Sequence, residues 1–430
     1  MSQKATSITI IGLLSCLVII LATLILLDLK HPSPQKQSIS NTGIPPGDEM
    51  ASNSVTQEIS LSAVAKLDNP PTQPGQAQME SQELKPNISV STSDRHPVPQ
   101  NSAQVADQKL YEKVSTLTHQ NRDEEAIEIL QKMIKQDPND LRAYTLLGEL
   151  HYQNDRLPQA IEAWEKVLEI DPFNEGLKAM LAKAQRERKA HSEFTHEVTR
   201  HFRIKFEGSE NRDLYKTVLD TLEEAYNEVG KVLSFYPDHE IIVFLYTEQQ
   251  FFDVTRAPAW SGGIFDGKIR VPAKGYEDYL GRLRQILFHE YTHAAIHQMT
   301  QPGASKVGRK MASGVPTWLH EGIAQYMEPD GMQENVDLRL EKWVKQGVFL
   351  DLWRLQGSFL GFNTQLAGLA YDESLSAVKF MIDEFSPYSV QKLLTALAQQ
   401  KDMDEAMREA IFISYEEFQT RWEEHLKSLS

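Results

Sequence analysis

The stretch Leu287-Phe288-His289-Glu290-Tyr291-Thr292-His293 carries two histidines four residues apart, with a glutamate directly after the first. On an α-helix this spacing places His289 and His293 one turn apart on the same face, so both imidazoles can bind one metal ion. Glu290 is then close enough to accept a proton from a metal-bound water without being a ligand itself. Two histidines can fall at this spacing on any long helix by chance. The pattern therefore predicts a zinc site only together with a third ligand.

A third ligand is offered by a second stretch, Trp318-Leu319-His320-Glu321-Gly322-Ile323-Ala324-Gln325-Tyr326. Its apolar residues predict a separate, buried helix that presents Glu321. Three protein ligands leave one position of a tetrahedral zinc ion open, as a catalytic site requires. Two neighbouring histidines are then not needed as ligands. His297 is predicted to lie beside the site or at the surface, and His320 to point to one side of its helix.

The composition is that of a soluble globular protein with additional polar segments, and 430 residues give room for two or three domains. A formal net charge of -16 argues against a nucleic-acid partner, because phosphate binding needs a basic surface. The single cysteine, Cys16, lies in an apolar segment, so no disulfide framework and no cysteine nucleophile are available. An enzyme with this sequence must use other groups.

An uninterrupted apolar run from Ile8 to Leu27 is long enough to cross a bilayer as a helix. The alternative is a cleavable signal peptide, in which case the mature protein would be soluble and secreted. However, Asp28-Leu29-Lys30 is a poor cleavage site, and the run continues past Cys16, unlike a lipoprotein signal. We therefore predict a single-pass membrane anchor at residues 1–30, with the catalytic part outside the cytoplasm (periplasmic or extracellular).

Residues 31–105 are predicted to form a disordered linker. Ser, Gln, Pro and Asn dominate this segment, and it contains no Phe, Trp or Tyr. Such a composition cannot bury enough apolar surface to offset the entropy lost on ordering. The segment therefore has the character of a flexible tether.

A repeat with a period of 34 residues follows the linker: Asp137-Pro138 recurs as Asp171-Pro172, and Ala126 recurs as Ala160. This is the period of tetratricopeptide repeats. Residues 106–194 are therefore predicted to form an all-α module that resembles two tetratricopeptide repeats with a capping helix. Its groove could bind a protein partner, or the module could be a structural spacer.

From residue 195 onward the pattern becomes mixed. Residues 201–206 alternate with period two and residues 241–246 form a short apolar run, so both segments predict strands, with a helix between them. Residues 265–272 predict a tight turn into another strand, whose proline suggests a sheet edge. A peptide could add to this edge near Ile269 by main-chain hydrogen bonds, beside the metal helix.

The two metal-site motifs together resemble those of the gluzincin zinc metallopeptidases. The likeness is to the peptidase-MA-like group and, more distantly, to the aminopeptidase-N type, whose third ligand lies in a W-L-x-E-G-x-A segment. The resemblance implies that Glu290 is the general base and that residues 195–430 form an α+β, thermolysin-like domain with a helical C-terminal part. Thermolysin-like enzymes have an Asp where this chain has Gln325, so no partner that orients His289 is predicted. The resemblance implies three zinc ligands, His289, His293 and Glu321.

A further resemblance concerns Ala370-Tyr371-Asp372-Glu373-Ser374, which is predicted to open an apolar helix and is similar to the Y-E-x-G segment of aminopeptidase-N-type enzymes. In those enzymes the tyrosine hydroxyl stabilises the oxyanion, which implies the same catalytic role for Tyr371. The alternative is a tyrosine packed in the core. Their G-x-M-x-N amine-recognition motif is not found, and Trp260-Ser261-Gly262-Gly263 stands at its approximate place. Cleavage within a peptide is therefore favoured.

The sequence as a whole predicts a membrane-anchored zinc metallopeptidase. A zinc-activated water would attack a peptide or protein substrate, and the repeats would recruit a partner or the substrate. The alternative is a non-catalytic scaffold or interaction protein of the cell envelope, with a structural or degenerate zinc domain. The intact Glu290 argues against that alternative, because a purely structural site does not need this carboxylate.

Overall fold

The computed structural model describes most of the chain after residue 101. The predicted anchor at 1–30 lies outside the described residues, and so does the predicted linker up to residue 101. The first helix begins at Ser102, inside the predicted linker. Within the described ranges, no helix combines the length and the apolar character needed to cross a membrane. The described residues are 102–207, 212–258, 261–274, 280–300, 314–329 and 335–429.

The repeat module is all-α, as predicted, and consists of five helices, each of which packs against the next along the chain. Side chains of Asp140 and Asn174 accept hydrogen bonds from backbone N–H groups three residues on, which fixes the starts of two of these helices. A Cβ on Gly148 would collide with the indole of Trp164, so this glycine lets the two helices of the second repeat approach closely. The helices are α1 (Ser102–His119), α2 (Asp123–Gln136), α3 (Leu141–Gln153), α4 (Leu157–Ile170) and α5 (Glu175–Ala190).

A five-stranded sheet follows, with the strand order β1-β2-β3-β5-β4. Strands β2, β3 and β5 run parallel, whereas β1 and β4 are antiparallel to their neighbours. Ile269 pairs with Val243 on one side and with Phe265 on the other. The prediction that a peptide could add to a sheet edge near Ile269 is therefore wrong. Strand β5, which contains Ile269, is an inner strand, and β4 covers it and forms the edge. The strands are β1 (Phe194–Val198), β2 (Phe202–Glu207), β3 (Ile241–Thr247), β4 (Ile264–Phe265) and β5 (Ile269–Lys274).

Two helices connect strands of the sheet, and two more follow its last strand. The first follows β2 and buries one apolar face in the same core as the sheet. The second was not predicted; it begins at a capping box formed by Thr247 and Gln250. The two metal-motif helices follow β5 and share this core. These helices are α6 (Arg212–Leu233), α7 (Glu248–Thr255), α8 (Leu280–Thr300) and α9 (Thr317–Tyr326).

The C-terminal part is helical, as predicted. Its helices cover the side of α9 that faces away from the sheet: the indole N–H of Trp318 donates to the hydroxyl of Tyr415 over 2.9 Å. Gly322 on α9 lies directly against the backbone carbonyl of Ser374, and a Cβ there would clash. This close approach fixes how deeply α9 sits. The helices are α10 (Val336–Lys345), α11 (Thr364–Glu384), α12 (Ser389–Ala398), α13 (Met403–Ile411) and α14 (Tyr415–Ser428).

Candidate metal centre

Helices α8 and α9 bring the two sequence motifs together in the domain interior. Most of α8 between Leu283 and Ile296 is buried, which explains why its apolar residues surround the motif on all sides. Side chains of His289, His293 and Glu321 remain 17%, 10% and 18% exposed, so the cluster is largely but not completely buried.

One atom from each of three side chains converges on a common point. The Nε2 atoms of His289 and His293 are 3.1 Å apart, and Oε2 of Glu321 lies 3.3 Å from the first and 3.4 Å from the second. Ligands about 2.0 to 2.1 Å from a tetrahedral zinc ion stand about 3.3 to 3.4 Å from each other. The three side chains therefore fit such an ion without rearrangement.

Each imidazole is held by a partner on its other nitrogen. Nδ1 of His289 lies 2.8 Å from Oε1 of Glu328, and Nδ1 of His293 lies 2.5 Å from Nδ1 of His320. A carboxylate only accepts hydrogen bonds, so His289 donates through Nδ1 and keeps a lone pair on Nε2. Glu328 thus supplies the orienting partner that the sequence did not predict.

One prediction about this shell is wrong. His320 does not point away to one side; its ring stacks on that of His293, with centroids 4.6 Å apart. Gln325, at the position of the thermolysin-type aspartate, has a different role. Its amide donates to the backbone carbonyls of Glu321 and Tyr371, the latter over 2.8 Å. The amide thereby ties α9 to α11.

The charges of the cluster depend on each other. Burial alone would raise the pKa of Glu321, but protonated imidazoles at His293 and His289 outweigh it and hold this pKa below its usual value. Oε2 of Glu321 accepts no hydrogen bond from the described residues, although it is buried. When the two imidazoles give up their Nε2 protons, their lone pairs and this carboxylate oxygen form the donor set that a divalent zinc ion requires.

Glu290 lies beside the three converging atoms but is not one of them. Glu290 is 5% exposed. Burial raises the pKa of its carboxyl, and His289 and His293 offset part of this increase. The backbone of Gly263, just before β4, passes directly over it. A Cβ on Gly263 would stand 2.7 Å from Oε1 and 2.8 Å from Cγ of Glu290. The edge of the sheet therefore touches the carboxylate.

Tyr371 lies in the middle of α11 and does not open a helix as predicted. The side chain of Asn363 caps this helix by accepting from the Leu366 N–H, so it begins two turns earlier. Burial raises the pKa of the Tyr371 phenol, and the carboxylates of Glu321 and Glu290 raise it further. The phenol is therefore within electrostatic reach of both carboxylates.

Two histidines outside the cluster have structural surroundings. His297 packs edge-on against Phe265 of β4, with ring centroids 5.6 Å apart, as expected for a residue beside the site. His201 stacks on Tyr226, with ring centroids 3.9 Å apart, and its Nδ1 lies 2.8 Å from Oε2 of Glu223. His196 is exposed.

Comparison with known proteins agrees with this architecture. No curated protein matches the chain. A family model of the Peptidase MA superfamily matches residues 226–428, which contain α8, α9 and α11. A tetratricopeptide repeat model matches residues 117–187. The chain therefore carries tetratricopeptide repeats followed by a metallopeptidase-type domain of the Peptidase MA superfamily.

Proposed function

We propose that this protein is a zinc-dependent peptidase of the gluzincin type, with His289, His293 and Glu321 as the metal ligands. The observation that carries the proposal is the convergence of three donor atoms, 3.1, 3.3 and 3.4 Å from one another, in a largely buried site. Zinc, when bound, would polarise a scissile carbonyl and lower the pKa of a water molecule beside it.

The residues around the metal have separable roles in this proposal. Glu290 accepts a proton from the attacking water and returns it to the leaving amine, because its carboxyl lies beside the three converging atoms without being a ligand. The Tyr371 hydroxyl donates a hydrogen bond to the oxyanion that develops on the carbonyl. Glu328 and His320 hold the two imidazoles in the tautomer that leaves each Nε2 free for the metal.

The substrate would bind along β4. Among the described strands, β4 is an edge strand of the sheet, and Gly263, directly before β4, lies against Glu290. An extended peptide could add its main chain to this edge and so present a peptide bond to the carboxylate. This arrangement suits cleavage within a chain.

We further propose that residues 1–30 anchor the protein in a membrane as a single-pass helix, with the peptidase outside the cytoplasm. Tetratricopeptide repeats are protein-interaction modules, so the repeats are candidates for binding a partner or the substrate. Membrane fractionation of the full chain, with protease protection of its C-terminal part, tests the anchor and its orientation. A full-length protein found entirely in the soluble fraction would contradict the anchor.

The proposed activity is tested by comparing wild type with Glu290→Gln on a mixed peptide library. We expect wild type to cleave peptides and a chelator to abolish cleavage. Glu290→Gln should retain zinc and lose cleavage. Glu224→Gln is a matched control, because it makes the same change at a half-exposed ion pair on α6. If Glu290→Gln cleaves as fast as wild type, the general-base role is wrong; if a zinc-loaded wild type cleaves nothing, the scaffold alternative is favoured.

A further inference from the structure

The repeat module docks on the β4–β5 hairpin, residues 263–270, through buried charges. Asp155, in the loop between α3 and α4, lies 3.0 Å from the ammonium of Lys268. Glu187 on α5 lies 3.1 Å from the guanidinium of Arg270. Both side chains of the second pair are 0% exposed, and both of the first pair are 3% exposed. The repeat module therefore packs directly against the β4–β5 hairpin of the sheet.

The turn of the same hairpin is held as well. Lys183 on α5 pairs with Asp266 at 2.5 Å, and Asp266 in turn accepts from Nε of Arg270 at 3.0 Å. The hydroxyl of Tyr152 on α3 bonds to Glu187 and is within 3.4 Å of Arg270. All three charged positions of the hairpin therefore have a partner in the repeat module.

Buried ion pairs of this kind give little net stability, because desolvation offsets their attraction, but separating them is costly because it leaves buried charges uncompensated. Their contribution here is to fix the position of the hairpin. That position matters at the other end of the hairpin, where Gly263 lies against Glu290. Asp266 is three residues from Gly263, about 10 Å along an extended chain.

We propose that Asp155 and Glu187 of the repeat module are positioning residues for the peptidase site, which act by holding Lys268 and Arg270 and thereby the substrate-binding edge β4. The proposal rests on the proposed function. It assigns the repeats an intramolecular role in substrate binding, in addition to any external partner. The edge strand is too short, at two residues, to be held by its own main-chain pairing alone.

Two conservative variants test this inference in the full-length protein. Glu187→Gln removes one charge and leaves Arg270 paired with Asp266, so no charge is stranded. Asp155→Asn weakens the hold on Lys268 and also on Lys205 of β2, with which Asp155 forms a second ion pair. Asparagine tolerates the backbone φ of 58° at this position. The matched control is Glu124→Gln, which removes an ion pair with Arg156 inside the repeat module.

We measure zinc content, kcat and KM on a long peptide that wild type cleaves, and hydrogen–deuterium exchange of residues 261–268. We expect unchanged zinc, a KM raised about tenfold with a smaller change in kcat, and faster exchange of the hairpin in both test variants. The control should match wild type in all four. Faster exchange with unchanged KM would overturn the positioning role, as would a raised KM with unchanged exchange. An inactive wild type that binds zinc would instead refute the proposed function, whereas the exchange data would still report on the docking.

Discussion

Replacing Gly263 by alanine should move the general base without touching a ligand. Carbon atoms in contact stand about 3.5 Å apart, whereas the new methyl would lie 2.8 Å from Cγ and 2.7 Å from Oε1 of Glu290. One of the two must therefore retreat by about 0.7 Å. Because α8 is packed on all sides, we expect Glu290 to rotate away from the attacking water or the edge strand to lift from it.

The size of the effect follows from that displacement. A misplacement of about 1 Å costs roughly 100-fold in rate, so a shift of about 0.7 Å should lower kcat about 10- to 100-fold. This corresponds to about 1.4 to 2.7 kcal/mol in the activation barrier. The ligands are untouched, so the zinc content should equal that of wild type.

Gly262→Ala is the matched control for this experiment. The three atoms nearest to its methyl would be Cδ1 and Cγ1 of Ile286, at 3.0 and 3.2 Å, and Nη2 of Arg282 at 3.7 Å, and none of them belongs to the carboxylate. Steady-state kinetics on one peptide, with zinc measured on the same samples, compares the two variants. Equal kcat values for wild type and Gly263→Ala would refute the claim that Glu290 acts as the general base in its present position against Gly263.

Three further predictions concern single side chains. Glu328→Gln should weaken zinc binding about 10- to 100-fold, measured by competition with a chromogenic chelator, because Gln holds His289 less firmly; unchanged affinity would remove Glu328 from the site. Tyr371→Phe should lower kcat about 100- to 1,000-fold at unchanged zinc content, and an undiminished kcat would favour a packing role. Burial raises the pKa of Glu373 well above its usual value, so its contribution to stability is fully present below the unfolded pKa and is lost as pH rises through the folded pKa. The melting temperature of Glu373→Gln should therefore rise relative to that of wild type as the pH increases from 4 to 8. A difference in melting temperature that does not change with pH would contradict this.

The order of elements could be predicted because each signal is local. The 34-residue repeat, the alternation of β2 and the apolar run of β3 each lie within one segment, and the helical repeat region followed by a mixed domain is confirmed. The capping box at Thr247 was available in the sequence and could have revealed α7. The cap at Asn363 would likewise have placed the start of α11 correctly.

The surroundings of the metal ligands could not be predicted, because they depend on distant contacts. Glu328 lies beyond the end of α9, 39 residues from His289 in the sequence, and the two side chains meet only in the folded domain. In the sequence, the charged residues Lys268 and Arg270 are typical of an exposed strand. They are buried in the structure because Asp155 and Glu187 of the repeat module pair with them. Residues that contact each other across such long sequence separations leave no periodic pattern in the sequence.

The central claim is that two imidazoles and one carboxylate hold a single zinc ion. Zinc K-edge absorption spectroscopy on the purified protein, combined with metal analysis, tests it most directly. We predict about one zinc per chain, bound through two histidine nitrogens and a carboxylate oxygen at about 2.0 to 2.2 Å, with loss of the metal in Glu321→Ala. A protein that takes up no zinc, or a Glu321→Ala variant with the same metal content and spectrum as wild type, would contradict the account.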